Sequence, residues 1–258
     1  MKNTNSPSPT VDAIVLAGGD GSAIDPKTPA KGMVQVAGKP MLQWVLEALR
    51  QAKHVRTIAV VLPPDQDTSG WEQLADKVIC SNGKISDNIV EGVNALTASG
   101  TDGLIISITS DIPSVTPKAI DDFIAETIER QVDISYPMVR EADMMAAYPD
   151  TQRTFFKLRE GKVTGGNAMI LDSRHFDRLR ELGQEVFEAR KNPLRMANMV
   201  GARFALKLAT GRLSINDLEE KLGKILGLRC AAILTSNASI GADVDKPEDV
   251  AAVEKKLK

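Results

Sequence analysis

Cysteine and histidine are almost missing from this chain: Cys80, Cys230, His54 and His175 are all it has in 258 residues. A disulfide framework or a cysteine zinc site needs more ligands than these, so both are excluded, and the two histidines read as surface or helix-end residues. An excess of charge of one sign is missing too. Lys and Arg number 32 against 34 Asp and Glu, a formal net charge of -2, which supplies no field to gather nucleic acid or an anionic membrane. Neither is expected as a partner. No apolar run is long enough to span a bilayer, and the opening MKNTNSPSPT lacks the hydrophobic centre of a secretion signal. The expectation is a cytoplasmic protein with a disordered tail over 1–10 and one domain over 11–258, whose 43% hydrophobic content supports a sizeable core.

What is present starts with a short apolar run, Ala13 to Ala17, that reads as a buried strand and empties into Gly18, Gly19, Asp20, Gly21 and Ser22. Glycines let the backbone approach a polyphosphate and aim N–H donors at it. Lys31 follows Pro29 and Ala30, where a cation could neutralise phosphate charge, and Gly38, Lys39 and Pro40 open a helix whose apolar face is Met41, Leu42, Val45, Leu46 and Leu49. Two phosphate motifs are excluded. A Walker A loop needs Ser or Thr after Gly-Lys, and Pro40 stands there; a dinucleotide fingerprint puts its third glycine at Ile24.

Further along, Thr57 to Leu62 and Leu104 to Thr109 read as buried strands separated by helical pattern, the grammar of a three-layer α/β fold around a mostly parallel, doubly wound sheet. Ligands of such sheets sit at the carboxyl ends of strands, which draws attention to Asp111. The competing reading, a helix cap for Pro117 to Arg130, is open to Ser114 or Thr116 instead. Ser86, Asp87 and Asn88 open a helix and could simply cap it. Thr154 to Leu158 with Lys162 and Val163 suggests a hairpin. Gly165, Gly166 and Asn167 precede the strand AMILD, where paired glycines suit a ligand's approach or a bulge equally. Residues 173–227 turn helical, with candidate helices at 176–182, 184–190, 193–206 and 215–226, and Arg190, Lys191 and Arg195 clustered among them. Such a cluster could be a site for an anionic acceptor, though a charge cluster of three is usually a solvated face. Cys230 to Leu234 reads as a last strand, and Asp243 and Asp245 precede a helix starting at Pro247.

The order Leu16, Ala17, Gly19, Gly21, Lys31, then Gly38-Lys39-Pro40, with Ser110-Asp111 at a strand end and Asp243 to Asp249 near the terminus, resembles the MobA-like NTP transferases (nucleotidyltransferases). The chain looks like a poorly characterised bacterial branch with a helical insertion. The resemblance implies a nucleotide-diphospho-sugar transferase-like fold of GT-A type. It also implies a Mg²⁺-dependent enzyme that moves an NMP from an NTP to a phosphorylated small-molecule acceptor and releases pyrophosphate. On that reading Leu16, Ala17 and the Gly18–Ser22 loop hold the nucleotide, Lys31 and Asp111 are catalytic, and Asp111 with Asp245 or Asp243 binds the metal. Ser86 or Asn88 lies by the nucleobase, and Gly165, Gly166 and Asn167 face the acceptor. One position departs: the family's loop arginine falls on Ala23, with Lys27 the nearest replacement. Losing that cation motivates the alternative of a non-catalytic nucleotide- or sugar-nucleotide-binding regulatory protein. The insertion is expected to cover the acceptor side of the cleft or to join subunits into a homo-oligomer, since its apolar residues, including Leu194, Met196, Met199, Val200, Phe204, Leu206 and Leu208, exceed what one helix stripe needs.

Overall fold

Residues Val11–Leu16 form β1, and all six are buried because the strand lies inside a sheet covered on both faces. The computed structural model describes residues 10–181 and 201–257. After β1 come β2 (Gln35–Val36), β3 (Lys39–Pro40), α1 (Met41–Gln51), β4 (Val55–Leu62), β5 (Lys77–Cys80), α2 (Ile85–Thr97), β6 (Leu104–Thr109) and α3 (Pro117–Glu129). The second half contains β7 (Ile134–Arg140), α4 (Glu141–Ala147), β8 (Phe156–Leu158), β9 (Gly161–Gly165), β10 (Ala168–Asp172), α5 (Ala202–Ala209), α6 (Ile215–Leu226), β11 (Cys230–Thr235) and α7 (Pro247–Leu257).

The main sheet runs β5-β4-β1-β6-β10-β7-β9-β8, with β11 on the other edge of β7. Strands β5, β4, β1 and β6 are parallel; β10 runs antiparallel between β6 and β7, and β11 pairs parallel with β7. The sheet is therefore mixed and mostly parallel, as the buried runs imply. Its strand order reverses between β1 and β6, so the segments leaving those two strands flank a crevice.

Alternation along β1 divides the core. Ala13 and Val15 face a cluster with α1 and α3, while Ile14 and Leu16 face α2 and Phe176 on the opposite side. Helix α1 places Met41, Leu42, Val45, Leu46 and Leu49 on one buried face, the spacing the sequence shows; each large side chain contributes roughly 1.5–3 kcal/mol by leaving water. Thr116, not Asp111, caps α3 by accepting from the Ala119 amide at 3.1 Å. Asp111 is left for other work.

A third cluster, Leu158, Val163 and Leu213 with Phe204, Ile215 and Leu218 packed against it, joins the β8–β9 hairpin to α5 and α6. The described part of the helical region is thus seated on that hairpin and beside β11. Leu206 stays 66% exposed and Leu222 47% exposed. The expected roles of Arg190, Lys191 and Arg195, the two helices placed at 184–206 up to residue 200, and the tail over 1–9 lie outside the described residues. No helix among the described residues is long and apolar enough to cross a membrane.

Candidate active site

A cleft of about 470 Å³ opens at the strand-order reversal, between the exits of β1 and β6 and the start of α2. The glycine loop forms one wall. It is pinned to the following segment by Gly21 N–H donating to Pro29 O (2.8 Å) and Lys31 N–H to Gly19 O (3.0 Å), and a Cβ on Gly21 would lie 2.5 Å from the Thr28 carbonyl. Only glycine permits that approach. The same bonds narrow the phosphate cradle expected from Gly18 to Ser22. Gly21 N–H is committed to Pro29, and Ser22 N–H donates to Asp20 Oδ1 at 2.9 Å. Gly18, Gly19 and Asp20, whose N–H groups have no acceptor among the described residues, all line the cleft with Leu16. Consecutive backbone amides left without an acceptor are the donors that an anion takes.

Facing them is a charged cluster. Asp111 leaves β6 with Oδ1 accepting from Thr109 Oγ1 (2.5 Å) and Oδ2 from Lys31 Nζ (2.6 Å); Lys31 Nζ also donates to Asp245 Oδ1 at 2.5 Å. Val244 N–H donates to the Asp111 carbonyl (2.9 Å), which docks the segment ahead of α7 onto the β6 exit. Asp111, Asp243 and Asp245 consequently bring carboxylate oxygens within 4.8 Å of one another. Burial pushes the Lys31 pKa down, but the attraction of Asp111 and Asp245 outweighs it and leaves the ammonium above its ordinary value. Lys31 is charged at every physiological pH.

Asp243 has a separate partner. Arg153, only 12% exposed, forms an ion pair with its carboxylate through Nη1, and Nη2 donates to its carbonyl at 2.7 Å. Burial lowers the Arg153 pKa, opposed by the fields of Asp249, Asp245 and Asp111. Asn167 Nδ2 also reaches Asp243 Oδ1, at 3.3 Å. The glycines beside it have a structural cause: a Cβ on Gly165 would sit 2.5 Å from Tyr136 Oη, and one on Gly166 2.8 Å from Pro137 Cγ. Those two glycines let β9 turn into β10 across β7, and they do not line the cleft; of the expected acceptor trio, Asn167 alone touches the acidic cluster.

On the other wall Asn88, 3% exposed, accepts from Ser81 Oγ at 2.8 Å, and its Nδ2 lies 3.1 Å from where a Gly18 Cβ would be. Helix α2 starts one residue earlier than the polar turn suggests, with Asp87 accepting from the Lys84 amide (3.2 Å). Ser86 accordingly faces away from the cleft lining, exposed on the first turn. Lys27 is exposed as well, in a turn where its N–H donates to Asp25 Oδ1 (3.1 Å), so it does not replace the missing arginine in the cleft. Ala17, buried behind the loop, contributes packing and not lining. Sequence reasoning missed Arg153, Lys84 and Thr109. Thr109 had a signal, a hydroxyl two residues before the strand-end aspartate; Arg153, alone in an irregular stretch, had none.

Comparisons with known proteins bear on the family and the fold. The family model of the MobA-like NTP transferase domain matches residues 13–196. A 3-deoxy-manno-octulosonate cytidylyltransferase of Desulfatibacillum aliphaticivorans is 27% identical over 243 residues, spanning 89% of this chain and 92% of its own. An 8-amino-3,8-dideoxy-manno-octulosonate cytidylyltransferase of Shewanella sp. (strain W3-18-1) is 26% identical over 245 residues, spanning the same shares of the two chains. Among solved structures, a hypothetical transferase from Thermus thermophilus superposes with a TM-score of 0.80 at 32% identity, covering 93% of this chain and 99% of that one. The 2-C-methyl-D-erythritol 4-phosphate cytidylyltransferase of Thermus thermophilus shares the fold at 16% identity, with a TM-score of 0.56 over 95% and 98% of the two chains.

Proposed function

The chain belongs to the MobA-like NTP transferase family and is an enzyme of the nucleotidyltransferase class, and on that premise we propose that it transfers CMP from CTP to a small anionic sugar. The observation that carries the reading is the gathering of Asp111, Asp243 and Asp245 beside Lys31, across a cleft from the uncommitted amides of Gly18 to Asp20. Those amides would hold the β- and γ-phosphates. The Lys31 ammonium would meet the α-phosphate, where negative charge builds as an acceptor oxygen attacks phosphorus and the bond to the bridging oxygen of pyrophosphate breaks. Asn88 and the α2 start would border the base. Arg153 and Asn167 would fix Asp243 on the acceptor side.

An all-oxygen carboxylate set suits a hard divalent cation such as Mg²⁺, and Asp111 and Asp245, with Asp243 adjacent, are the residues that would hold it. Bound there, it would supply charge neutralisation and orientation of the triphosphate. The names of the curated relatives, which carry octulosonates, support a sugar-acid acceptor; a phosphorylated acceptor is tried beside it. Pyrophosphate release measured with each of the four NTPs, Mg²⁺ and a panel of both acceptor types tests this. Release with CTP and one acceptor class is the expected result. An enzyme that binds no NTP in the presence of Mg²⁺ would remove the basis of the reading, and turnover with a purine NTP alone would overturn the base assignment.

A further inference from the structure

Lys31 is shared by two carboxylates that reach it from distant parts of the chain. Its Nζ lies 2.6 Å from Asp111 Oδ2 at the end of β6 and 2.5 Å from Asp245 Oδ1 just ahead of α7. The two carboxylates differ in setting. Asp111 is 16% exposed and braced by the Thr109 hydroxyl, whereas Asp245 is 61% exposed, and its side chain is tied to the cluster through Lys31. Carboxylates this close repel one another unless a cation stands between them. Arg153 acts on Asp111 and Asp245 only through space, because its direct contacts go to Asp243.

The lone pairs that Lys31 occupies are those a divalent cation would use, since Mg²⁺ and Mn²⁺ take carboxylate oxygens at closer range than an ammonium does. Two cations placed between the same pair of oxygens repel each other. We propose that Lys31 is the exchangeable occupant of the Asp111–Asp245 pair: its ammonium holds the site assembled in the unloaded protein, and is displaced by the divalent cation. The displaced ammonium is then free for phosphate in the cleft it already lines. The lysine thereby changes partners once per loading event, from carboxylate to phosphate, without leaving the site. This rests on the assignment of Asp111 and Asp245 as metal carboxylates, and the experiment separates the two ideas.

Mn²⁺ binding is measured without nucleotide, by calorimetry and by water-proton relaxation, for the wild type, Lys31→Met and Lys31→Arg. Removing a competing charge a few ångströms away tightens Mn²⁺ binding by about tenfold in Lys31→Met, while Lys31→Arg stays within about twofold of wild type. CTP binding moves the other way in Lys31→Met and weakens. If Lys31→Met binds Mn²⁺ as weakly as wild type or more weakly, Lys31 is a fixed scaffold and the exchange is overturned. If the wild type and both variants bind no Mn²⁺, the metal assignment itself falls. Should Lys31→Met fail to fold, reductive methylation of the wild type read by mass spectrometry replaces it: Mg²⁺ speeds labelling at Lys31 if the lysine is released, and an unchanged rate overturns the proposal.

Discussion

At the edge of the sheet where the parallel strands begin and antiparallel β10 ends, Asp12, Asp133 and Asp172 each answer to an arginine of their own. Arg56 grips Asp12 through Nε and Nη2 (3.0 and 2.7 Å), Arg229 grips Asp133, and Arg174 grips Asp172, with each arginine more than half exposed while its carboxylate is buried. At the carboxyl ends the pattern reverses. Asp111 and Asp245 share one lysine, and no arginine among the described residues pairs with either. Proximity of carboxylates does not distinguish the two ends: Asp133 and Asp172 with His175 come as near to one another as Asp111, Asp243 and Asp245 do. What differs is whether acceptor capacity remains. An amino-end carboxylate saturated by a fork of N–H donors closes a structure, whereas oxygens held by a single shared ammonium keep acceptor capacity.

The largest expected effect falls on the carboxyl end. Asp111→Asn removes the charge that Lys31 pairs with and that the proposed divalent cation would need, so nucleotidyl transfer should fall about a thousandfold, roughly 4 kcal/mol of transition-state stabilisation, with the fold retained. Pyrophosphate release beside a urea melt reads both quantities. Activity within tenfold of wild type would erase the distinction between the ends.

The mirror experiment is Asp12→Asn. Asp12 is 1% exposed and accepts from Arg56, the Thr57 amide and the Thr101 hydroxyl, so neutralising it should cost about 2–3 kcal/mol of unfolding free energy while turnover per folded molecule holds. The cost should depend on pH. Burial pushes the Asp12 carboxyl up, but Arg56, Thr101 and Thr57 outweigh it, and the pKa lies below its ordinary 3.8; Arg229 and Arg174 lower Asp133 and Asp172 likewise. A depressed folded pKa gives stability that is full above the unfolded value and fades as pH drops through the folded one. Wild-type stability should therefore decline below about pH 4, and the Asp12→Asn difference should shrink with it. Unfolding curves at pH 7, 4 and 2.5 that differ by a constant amount would contradict this.

The sequence made one side of this comparison far more legible than the other. Buried runs announced β1, β4 and β6, and the strand-end position of Asp111 announced its place at the cleft, because apolar patterning and the exits of central strands are local properties. Direction is not local. Ala168 to Asp172 reads as an apolar strand either way, and its antiparallel insertion between β6 and β7 depends on where the β8–β9 hairpin returns the chain. Arg153 is illegible for the same reason. Its meaning comes from Asp243, 90 residues away in sequence, and an arginine in an irregular stretch has no period to betray it. Nearness in sequence to Ala23, the one criterion the chain offers, points to Lys27 instead.

Arg153 gives the next expected effect. Arg153→Lys keeps a cation but loses the fork that holds both the carboxylate and the carbonyl of Asp243. Turnover should drop about tenfold, about 1.4 kcal/mol, through a looser Asp243. CTP affinity, which the proposed site assigns to Gly18 to Asp20 on the far wall, should stay within about twofold, a shift of less than about 0.5 kcal/mol. Equal losses in turnover and CTP affinity would place Arg153 with the nucleotide and not with the acceptor side.

The smallest effect is expected at Lys39, although it belongs to the Gly38-Lys39-Pro40 signature. Ala37 and Gly38 both adopt positive φ (50° and 81°), the two-residue turn of the β2–β3 hairpin, so Gly38 is present for its backbone. Pro40 then ends that hairpin and precedes the first residue of α1. Lys39 itself does not line the cleft: Nζ lies 2.8 Å from both oxygens of Glu47 and 4.3 Å from the centre of the Trp44 ring. The signature is thus a device for turning the chain into α1, and its lysine stabilises that turn from the outside. A half-exposed ion pair with a cation–π contact contributes about 0.5–1 kcal/mol, so Lys39→Ala should lower unfolding free energy by that much and leave the KM for CTP unchanged. Lys31 and Lys39 stand eight residues apart with the same charge, and only their partners differ, Asp111 and Asp245 for one and Glu47 for the other. A rise in KM for CTP of more than about threefold in Lys39→Ala, some 0.6 kcal/mol, would mean that the helix-opening lysine reaches the nucleotide after all, and the division between a structural and a functional lysine would have to be withdrawn.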